Sequence, residues 1–199
     1  MPTERIHLPD GRGLTASLDT HGEADAIVVA CPPHPQHDGS RHDPRLEAVS
    51  GALPRRIDCL RFDYGPWDEG RGERADARTA LEWAGDRYDA VGLFGYSFGG
   101  GIALLTAADS EPGIERPVAA LSPTARLDDG SDVVDAVRRI DAPLWIGYGT
   151  RDDTVDAAAV ADAAAERGGT VERFSADHFF VGQQRTVGER VATFLGDAL

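Results

Sequence analysis

Short apolar runs alternate with longer amphipathic segments along most of the chain. Runs of four to seven residues that are apolar on both faces are typical of strands buried in a parallel sheet. Between these runs, apolar residues recur at helical spacing. The pattern predicts strands over 26–31, 57–62, 89–95, 117–121, 143–148 and 170–174, and helices over 71–85, 99–108, 155–167 and 186–197.

The N-terminal region follows a different pattern. Residues 5–20 alternate loosely around Pro9-Asp10-Gly11, which predicts an antiparallel hairpin. Strands that alternate with helices predict a doubly wound α/β sheet, and the 199 residues suffice for a single domain over 1–199. Ligands of such sheets bind beyond the carboxyl ends of the strands, so chemistry is expected directly after each strand.

A candidate nucleophile follows the predicted strand at 89–95. The segment Gly95-Tyr96-Ser97-Phe98-Gly99 is a G-x-S-x-G sequence between a predicted strand and a predicted helix. A tight turn there makes the Ser97 hydroxyl project above the sheet edge, and Gly95 and Gly99 leave room where strand and helix cross closely. The pattern predicts Ser97 as a catalytic nucleophile.

Candidate partners of Ser97 lie after two later strands. A serine hydroxyl needs an imidazole to remove its proton and a carboxylate to orient that imidazole. Asp152 follows the strand at 143–148, and His178 follows the strand at 170–174. The neighbouring Asp153 is an alternative acid.

These motifs, in the order Ser, Asp, His, resemble the α/β-hydrolase superfamily over nearly the whole chain. The spacing Gly149-x-x-Asp152-x-x-Val155 is similar to the acid turn of that superfamily, which favours Asp152 over Asp153. The short segment between residues 122 and 143 leaves no room for a lid domain. Within the superfamily the chain is similar to small, lidless, dienelactone-hydrolase-like enzymes. True dienelactone hydrolases use a cysteine nucleophile, so Ser97 argues against dienelactone as the substrate.

The resemblance also implies an oxyanion hole. One backbone N–H is expected from Phe98, the residue after the nucleophile, at the positive end of a helix. The second is expected from the loop after the third strand, where relatives carry His-Pro-His-Pro and this chain reads Cys-Pro-Pro-His-Pro over 31–35. Its prolines have no N–H to donate, which leaves His34, with Gln36 as the alternative.

Several side chains near this loop allow other interpretations. Imidazoles and carboxylates cluster there, but prolines at 32, 33, 35 and 44 predict an irregular loop, so we expect polar lining of a cleft and no metal site. Tyr64 and Trp67, after the strand at 57–62, either line an acyl pocket or pack in the core. The clustered side chains are His34, His37, Asp38, His42 and Asp43.

The charge and the cysteine content limit the binding partners and the cellular environment that can be expected for the protein. The chain has 34 acidic and 20 basic residues, a formal net charge of −14, which opposes binding to nucleic acid and to anionic membranes. All basic residues are Arg, and acidic excess without Lys resembles the proteins of salt-loving archaea, so a halophilic, haloarchaeal origin is predicted. Cys31 and Cys59 cannot form a disulfide framework, and no apolar run could span a bilayer, so we expect a cytoplasmic protein.

The predicted function is hydrolysis of small carboxylic esters through Ser97, His178 and Asp152, without cofactor or metal. Thioesters and lactones are close alternatives as small-molecule substrates. Two other classes stay open: a non-hydrolytic, perhydrolase-like enzyme and a non-catalytic ligand-binding protein of the same fold.

Overall fold

One mostly parallel sheet of eight strands organises the computed structural model, which describes residues 2–9, 12–110 and 116–199. Across the sheet the order is first, second, fourth, third, fifth, sixth, seventh, eighth. The first pairs antiparallel with the second and the second with the fourth, and all other pairings are parallel. In chain order the strands are β1 (Thr3–His7), β2 (Thr15–Asp19), β3 (Ala26–Cys31), β4 (Ile57–Phe62), β5 (Ala90–Tyr96), β6 (Val118–Leu121), β7 (Leu144–Gly149) and β8 (Thr170–Phe174).

The predicted fold class is confirmed, with the hairpin of β1 and β2 at one edge of a parallel sheet. Strands β3, β4 and β8 have their predicted bounds, β5 and β7 lie one residue later, and β6 begins one residue later. Every residue of β3 and β4 is buried. The continuous apolar character of β3 predicts this, whereas β4 also buries Asp58 and Arg61, and Arg61 pairs with Asp19 at 2.7 Å. Asp10 and Gly11 of the predicted hairpin turn lie outside the described residues.

Six helices cover the two faces of the sheet in the described part of the chain. Two of them pack on one face and the other four on the opposite face, so an apolar core lies on each side. None of the described helices is both long and apolar enough to cross a bilayer. The helices are α1 (Pro44–Ala52) and α6 (Gln184–Ala198) on the first face, and α2 (Arg71–Gly85), α3 (Phe98–Ala108), α4 (Val133–Arg138) and α5 (Ala157–Glu166) on the second.

The expectation of an irregular loop at Pro44 is wrong. Pro44 is the first residue of α1, where a missing N–H costs nothing, and the Asp43 carboxylate caps the helix by accepting the Arg45 N–H at 2.8 Å. Helix α4, also not predicted, is the only regular element between β6 and β7, and no lid interrupts the sheet there.

The strand order creates a crevice for a ligand. From β3 the chain crosses to β4 on one side and then returns to β5 on the other side. The chain segments that follow β3 and β5 therefore run in opposite directions from the carboxyl ends of these two neighbouring strands. In open α/β sheets, ligands bind at the point where the strand order reverses in this way. The loop containing His34 and the turn containing Ser97 both begin there.

Candidate active site

Ser97 occupies a strained turn between β5 and α3. Its backbone angles are φ 57° and ψ −121°, in a region that residues with a side chain rarely adopt. A Cβ on Gly95 would lie 2.0 Å from the carbonyl oxygen of Gly99, and a Cβ on Gly99 would lie 2.2 Å from that of Cys31. Glycine at both positions is therefore required for strand, turn and helix to approach this closely.

His178 lies at the rim of the sheet beside Ser97. It follows β8 in a loop, its side chain is 5% exposed, and its Nε2 lies 3.0 Å from Ser97 Oγ. Its Nδ1 lies 2.8 Å from Asp152 Oδ2. A carboxylate can only accept, so Nδ1 carries the ring proton and Nε2 is left to accept the Ser97 hydroxyl.

Asp152 is held as an ionised acceptor after β7. Its Oδ1 accepts the backbone N–H groups of Thr154 and Val155 at 3.0 and 3.2 Å, and its Oδ2 faces His178. Burial by itself raises the pKa of this carboxyl, but the hydrogen bonds from His178 and Thr154 outweigh burial, so the pKa lies below its usual value. The alternative acid, Asp153, is exposed to solvent.

His34, in the loop after β3, lies beside the Ser97 turn, with its ring against that of Phe98. The Gln36 N–H donates to His34 Nδ1 at 3.2 Å, so it is already engaged. Within residues 2–9, 12–110 and 116–199, the N–H groups of Phe98 and His34 donate to no protein acceptor. The two rings lie 4.8 Å apart, so both residues border the same edge of the crevice.

Aromatic packing fixes the orientation of the His34 side chain. Its ring lies 4.4 Å from that of Trp67 and stacks on that of His37 at 4.6 Å. Burial and, after it, the charge of His37 lower the pKa of His34, whereas Asp128, 3.8 Å away, opposes the shift. The neutral His34 ring carries its proton on Nε2, because Nδ1 accepts the Gln36 N–H.

A cleft of about 410 Å³ opens beside Ser97 and His178. Four of the five clustered polar side chains line it, and His42 instead lies 3.5 Å from Glu47. No group of three or more His, Cys, Asp or Glu side chains in the described parts of the chain could hold a metal ion. The lining residues are Pro33, His34, His37, Asp38, Gly39, Asp43, Arg45, Tyr96, Ser97, Thr154, His178 and Phe179.

Tyr64 and Trp67 pack against the core instead of lining this cleft. The Tyr64 hydroxyl donates to the Pro32 carbonyl at 3.2 Å, and its ring meets that of Phe98 edge-on. Trp67 lies partly buried against Phe98 at 5.6 Å. The core-packing alternative therefore describes both side chains.

Both cysteines are buried free thiols. Burial raises the pKa of Cys59 to about 12, and it raises that of Cys31 further. Neither thiol ionises near neutral pH, so neither is available as a nucleophile.

Sequence reasoning missed several side chains that border the cleft, among them Arg45, Tyr96 and Phe179. Tyr96 belongs to the nucleophile motif, but that motif leaves its second position free. Arg45 carries no motif at all; its only sequence signal is the Asp43-Pro44 helix start, which places it in the first turn of α1.

The strand order, the serine turn and the lidless rim together define the α/β-hydrolase fold. Residues 67–193 match the model of the Dienelactone hydrolase family, more than half of the 199 residues. The chain belongs to the dienelactone hydrolase family, whose members are hydrolases acting on ester bonds. Comparison with curated protein sequences finds no significant match.

Solved structures with the same fold cover nearly the entire chain. A lidless α/β serine hydrolase from Xanthomonas campestris is 24% identical with a TM-score of 0.82, covering 100% of this chain and 97% of its own. An α/β serine hydrolase homologue from Coxiella burnetii is 23% identical with a TM-score of 0.82, covering 98% of each chain. An esterase from Pyrococcus furiosus is 16% identical with a TM-score of 0.82, covering 99% of this chain and 91% of its own. These likenesses establish the fold.

Proposed function

We propose that the chain hydrolyses small carboxylic esters through Ser97, His178 and Asp152. The observation that carries the proposal is the imidazole of His178, which lies 3.0 Å from Ser97 Oγ and 2.8 Å from Asp152 Oδ2. Both contacts are within the reach that proton transfer needs. The alternative of a non-catalytic binding protein gives no reason for this arrangement.

The reaction proceeds through an acyl-enzyme. His178 Nε2 takes the proton from Ser97 Oγ as the oxygen attacks the ester carbonyl carbon, and Asp152 stabilises the imidazolium. The imidazolium then gives its proton to the leaving alcohol as the ester C–O bond breaks. Water, deprotonated by the same imidazole, attacks the acyl-enzyme. The imidazolium then returns its proton to Ser97 Oγ as the acyl C–O bond breaks and the acid is released.

Two backbone N–H groups stabilise the tetrahedral oxyanion in this proposal. Phe98 donates from the first turn of α3, where the aligned peptide dipoles favour negative charge. His34 donates from the loop after β3, and it is preferred over Gln36 because the Gln36 N–H is engaged with the His34 ring. No metal or cofactor takes part in these steps.

The substrate class follows from the cleft and the absence of a lid between β6 and β7. A volume of about 410 Å³ holds a short acyl group and a small alcohol, and the open rim exposes the site to water. Small carboxylic esters are the preferred class, with thioesters and lactones as alternatives. Long-chain lipids, which need an extended apolar groove, are disfavoured.

The test compares the wild type with Ser97→Ala on p-nitrophenyl acetate and on a panel of small esters and thioesters. Wild type is expected to turn over the ester and to be labelled once per chain by a fluorophosphonate, and Ser97→Ala is expected to do neither. The variant Ser175→Ala, at an exposed serine near His178, is a matched control that should retain labelling. Turnover retained in a folded Ser97→Ala variant would contradict the proposal.

We also infer that the chain is adapted to high salt and works in the cytoplasm of a salt-loving archaeon. Net charge −14 on 199 residues implies strong self-repulsion, which counter-ions screen. Two buried free thiols fit a reducing compartment.

A further inference from the structure

We propose that Tyr96 and Arg45 are positioning residues for His178, because they bind the carbonyl oxygens of His178 and Phe179. They would keep the imidazole within reach of Ser97 Oγ. The proposal rests on the function proposed above, since it gives these two side chains a role in the same reaction. We call the two side chains the carbonyl brace.

His178 needs such a brace because of where its loop begins. The loop follows β8, which is an edge strand and, among the described strands, pairs only with β7. Ser97 follows β5, which is three strands away across the sheet. The His178 loop must therefore reach back over the ends of two intervening strands, and backbone pairing within the sheet does not hold it there.

Tyr96 supplies the first connection. It is the last residue of β5, its side chain is buried, and its hydroxyl donates to the His178 carbonyl oxygen at 3.0 Å. Its ring centroid lies 5.3 Å from the imidazole centroid with 32° between the planes, so the phenol also supports the imidazole. Since Tyr96 directly precedes Ser97, this contact ties base and nucleophile to the same strand end.

Arg45 supplies the second connection, from the first turn of α1. Its guanidinium carbon lies 4.3 Å from the centre of the Tyr96 ring, a cation–π contact, and its Nη1 lies 3.4 Å from the Phe179 carbonyl oxygen. Its Nη2 lies 2.5 Å from Asp43 Oδ2, so the cation is paired. The Tyr96 ring, the Phe179 carbonyl and the Asp43 carboxylate therefore hold the guanidinium in one position. It can then act as a rigid support for the His178 loop.

Within the loop, a side chain accepts hydrogen bonds from the loop's own N–H groups, but the carbonyl groups of His178 and Phe179 are bound by the carbonyl brace. Asp177 Oδ1 accepts the N–H groups of Phe179 and Phe180 at 3.0 and 3.2 Å, and Phe180 has φ 52°. This local turn sets the shape of the loop. Among the described residues, the carbonyl brace supplies the hydrogen bonds from the loop's carbonyl groups to β5 and α1, beside the packing of Phe180 in the core. Its loss should therefore displace His178 without unfolding the turn.

The decisive experiment measures kcat and KM per active site, counted by fluorophosphonate titration, in the otherwise intact chain. Tyr96→Phe removes only the hydroxyl, and a misplaced base should lower kcat about tenfold or more with KM within twofold of wild type. The rate at which the fluorophosphonate labels Ser97 should fall by the same factor, because labelling also needs His178 to activate the hydroxyl. Arg45→Met should lower kcat in the same way, and Arg45→Lys should restore part of it.

Matched controls separate positioning from a loss of stability. Tyr88→Phe removes a phenol hydrogen bond of 2.9 Å to Asp58, at the opposite end of the sheet. Arg87→Met removes a guanidinium that lies 4.5 Å from the Trp83 ring and donates to the Trp83 carbonyl. Both controls should keep the wild-type kcat per active site.

The outcomes for the brace and for the proposed function are distinguishable. If Ser97→Ala loses all activity but Tyr96→Phe and Arg45→Met keep kcat within twofold of wild type, the brace is refuted and the esterase proposal stands. If the Tyr88→Phe and Arg87→Met controls lose kcat as much as their counterparts, the effect is one of stability and the brace is likewise refuted. If Tyr96→Phe does not fold, Arg45→Met and Arg45→Lys decide the question alone.

Discussion

The backbone strain at Ser97 predicts that, of two inactive variants at this position, the glycine variant is more stable than the alanine variant. Ser97→Ala and Ser97→Gly both remove the hydroxyl and its 3.0 Å contact with His178. They differ only in that alanine retains a Cβ at φ 57° and ψ −121°, whereas glycine does not. The difference between the two variants therefore isolates the energetic cost of the turn.

The expected magnitude follows from two opposing contributions. A residue with a side chain in a sparsely populated backbone region costs about 1–3 kcal/mol of folding free energy. Glycine relieves this cost but loses roughly 0.5–1 kcal/mol through the greater conformational entropy of its unfolded chain. The net expectation is that Ser97→Gly is more stable than Ser97→Ala by about 1 kcal/mol.

Thermal denaturation monitored by circular dichroism measures this difference. For a chain of this size, about 1 kcal/mol corresponds to a Tm difference of about 2–4 °C. Ser50, in α1, provides the control: at a regular helical position alanine should be more stable than glycine by about 1 kcal/mol, so the order reverses. A Ser97→Ala variant as stable as Ser97→Gly would refute the claim that this turn is strained.

Three further predictions concern Asp152 and the net charge of the chain. Asp152→Asn should lower kcat about 10³- to 10⁴-fold, because an amide no longer fixes the proton on His178 Nδ1. The control variant Asp153→Asn should keep the wild-type kcat. The reverse result would make Asp153 the acid. Because the folded-state pKa of Asp152 is depressed, its ionisation contributes stability above the unfolded pKa of about 3.9. That contribution is lost as pH falls through the folded pKa, so urea titrations should show wild type and Asp152→Asn converging in acid. The Tm of the wild type should rise with KCl up to molar concentrations, since salt screens a net charge of −14, and a flat response would argue against halophilic adaptation.

Local patterns in the sequence predict the elements that bear the chemistry. The bounds of β3 follow from its apolar run, because a strand buried on both faces needs apolar residues at every position. The turn at Ser97 is predictable for a similar reason, since only glycine fits at positions 95 and 99. The start of α1 was also within reach, because Asp43 before Pro44 is a recognisable helix start.

Other features depend on contacts between residues far apart in the chain. Asp152 and Asp153 have the same chemistry and adjacent positions, and only the folded loop decides which carboxylate meets His178. Gln36 and His34 both carry a backbone N–H, and they differ because the His34 ring accepts a hydrogen bond from the Gln36 N–H.

The sequence by itself determined the strands, most of the helices and the positions of Ser97 and His178 after their strands, because each of these follows from short-range steric or polar requirements. The tertiary structure alone decided the order of β3 and β4 in the sheet, and it alone placed Arg45 and Tyr96 against the loop of His178. Strand order and such long-range contacts depend on how whole elements pack against one another, and no local pattern of residues encodes that packing.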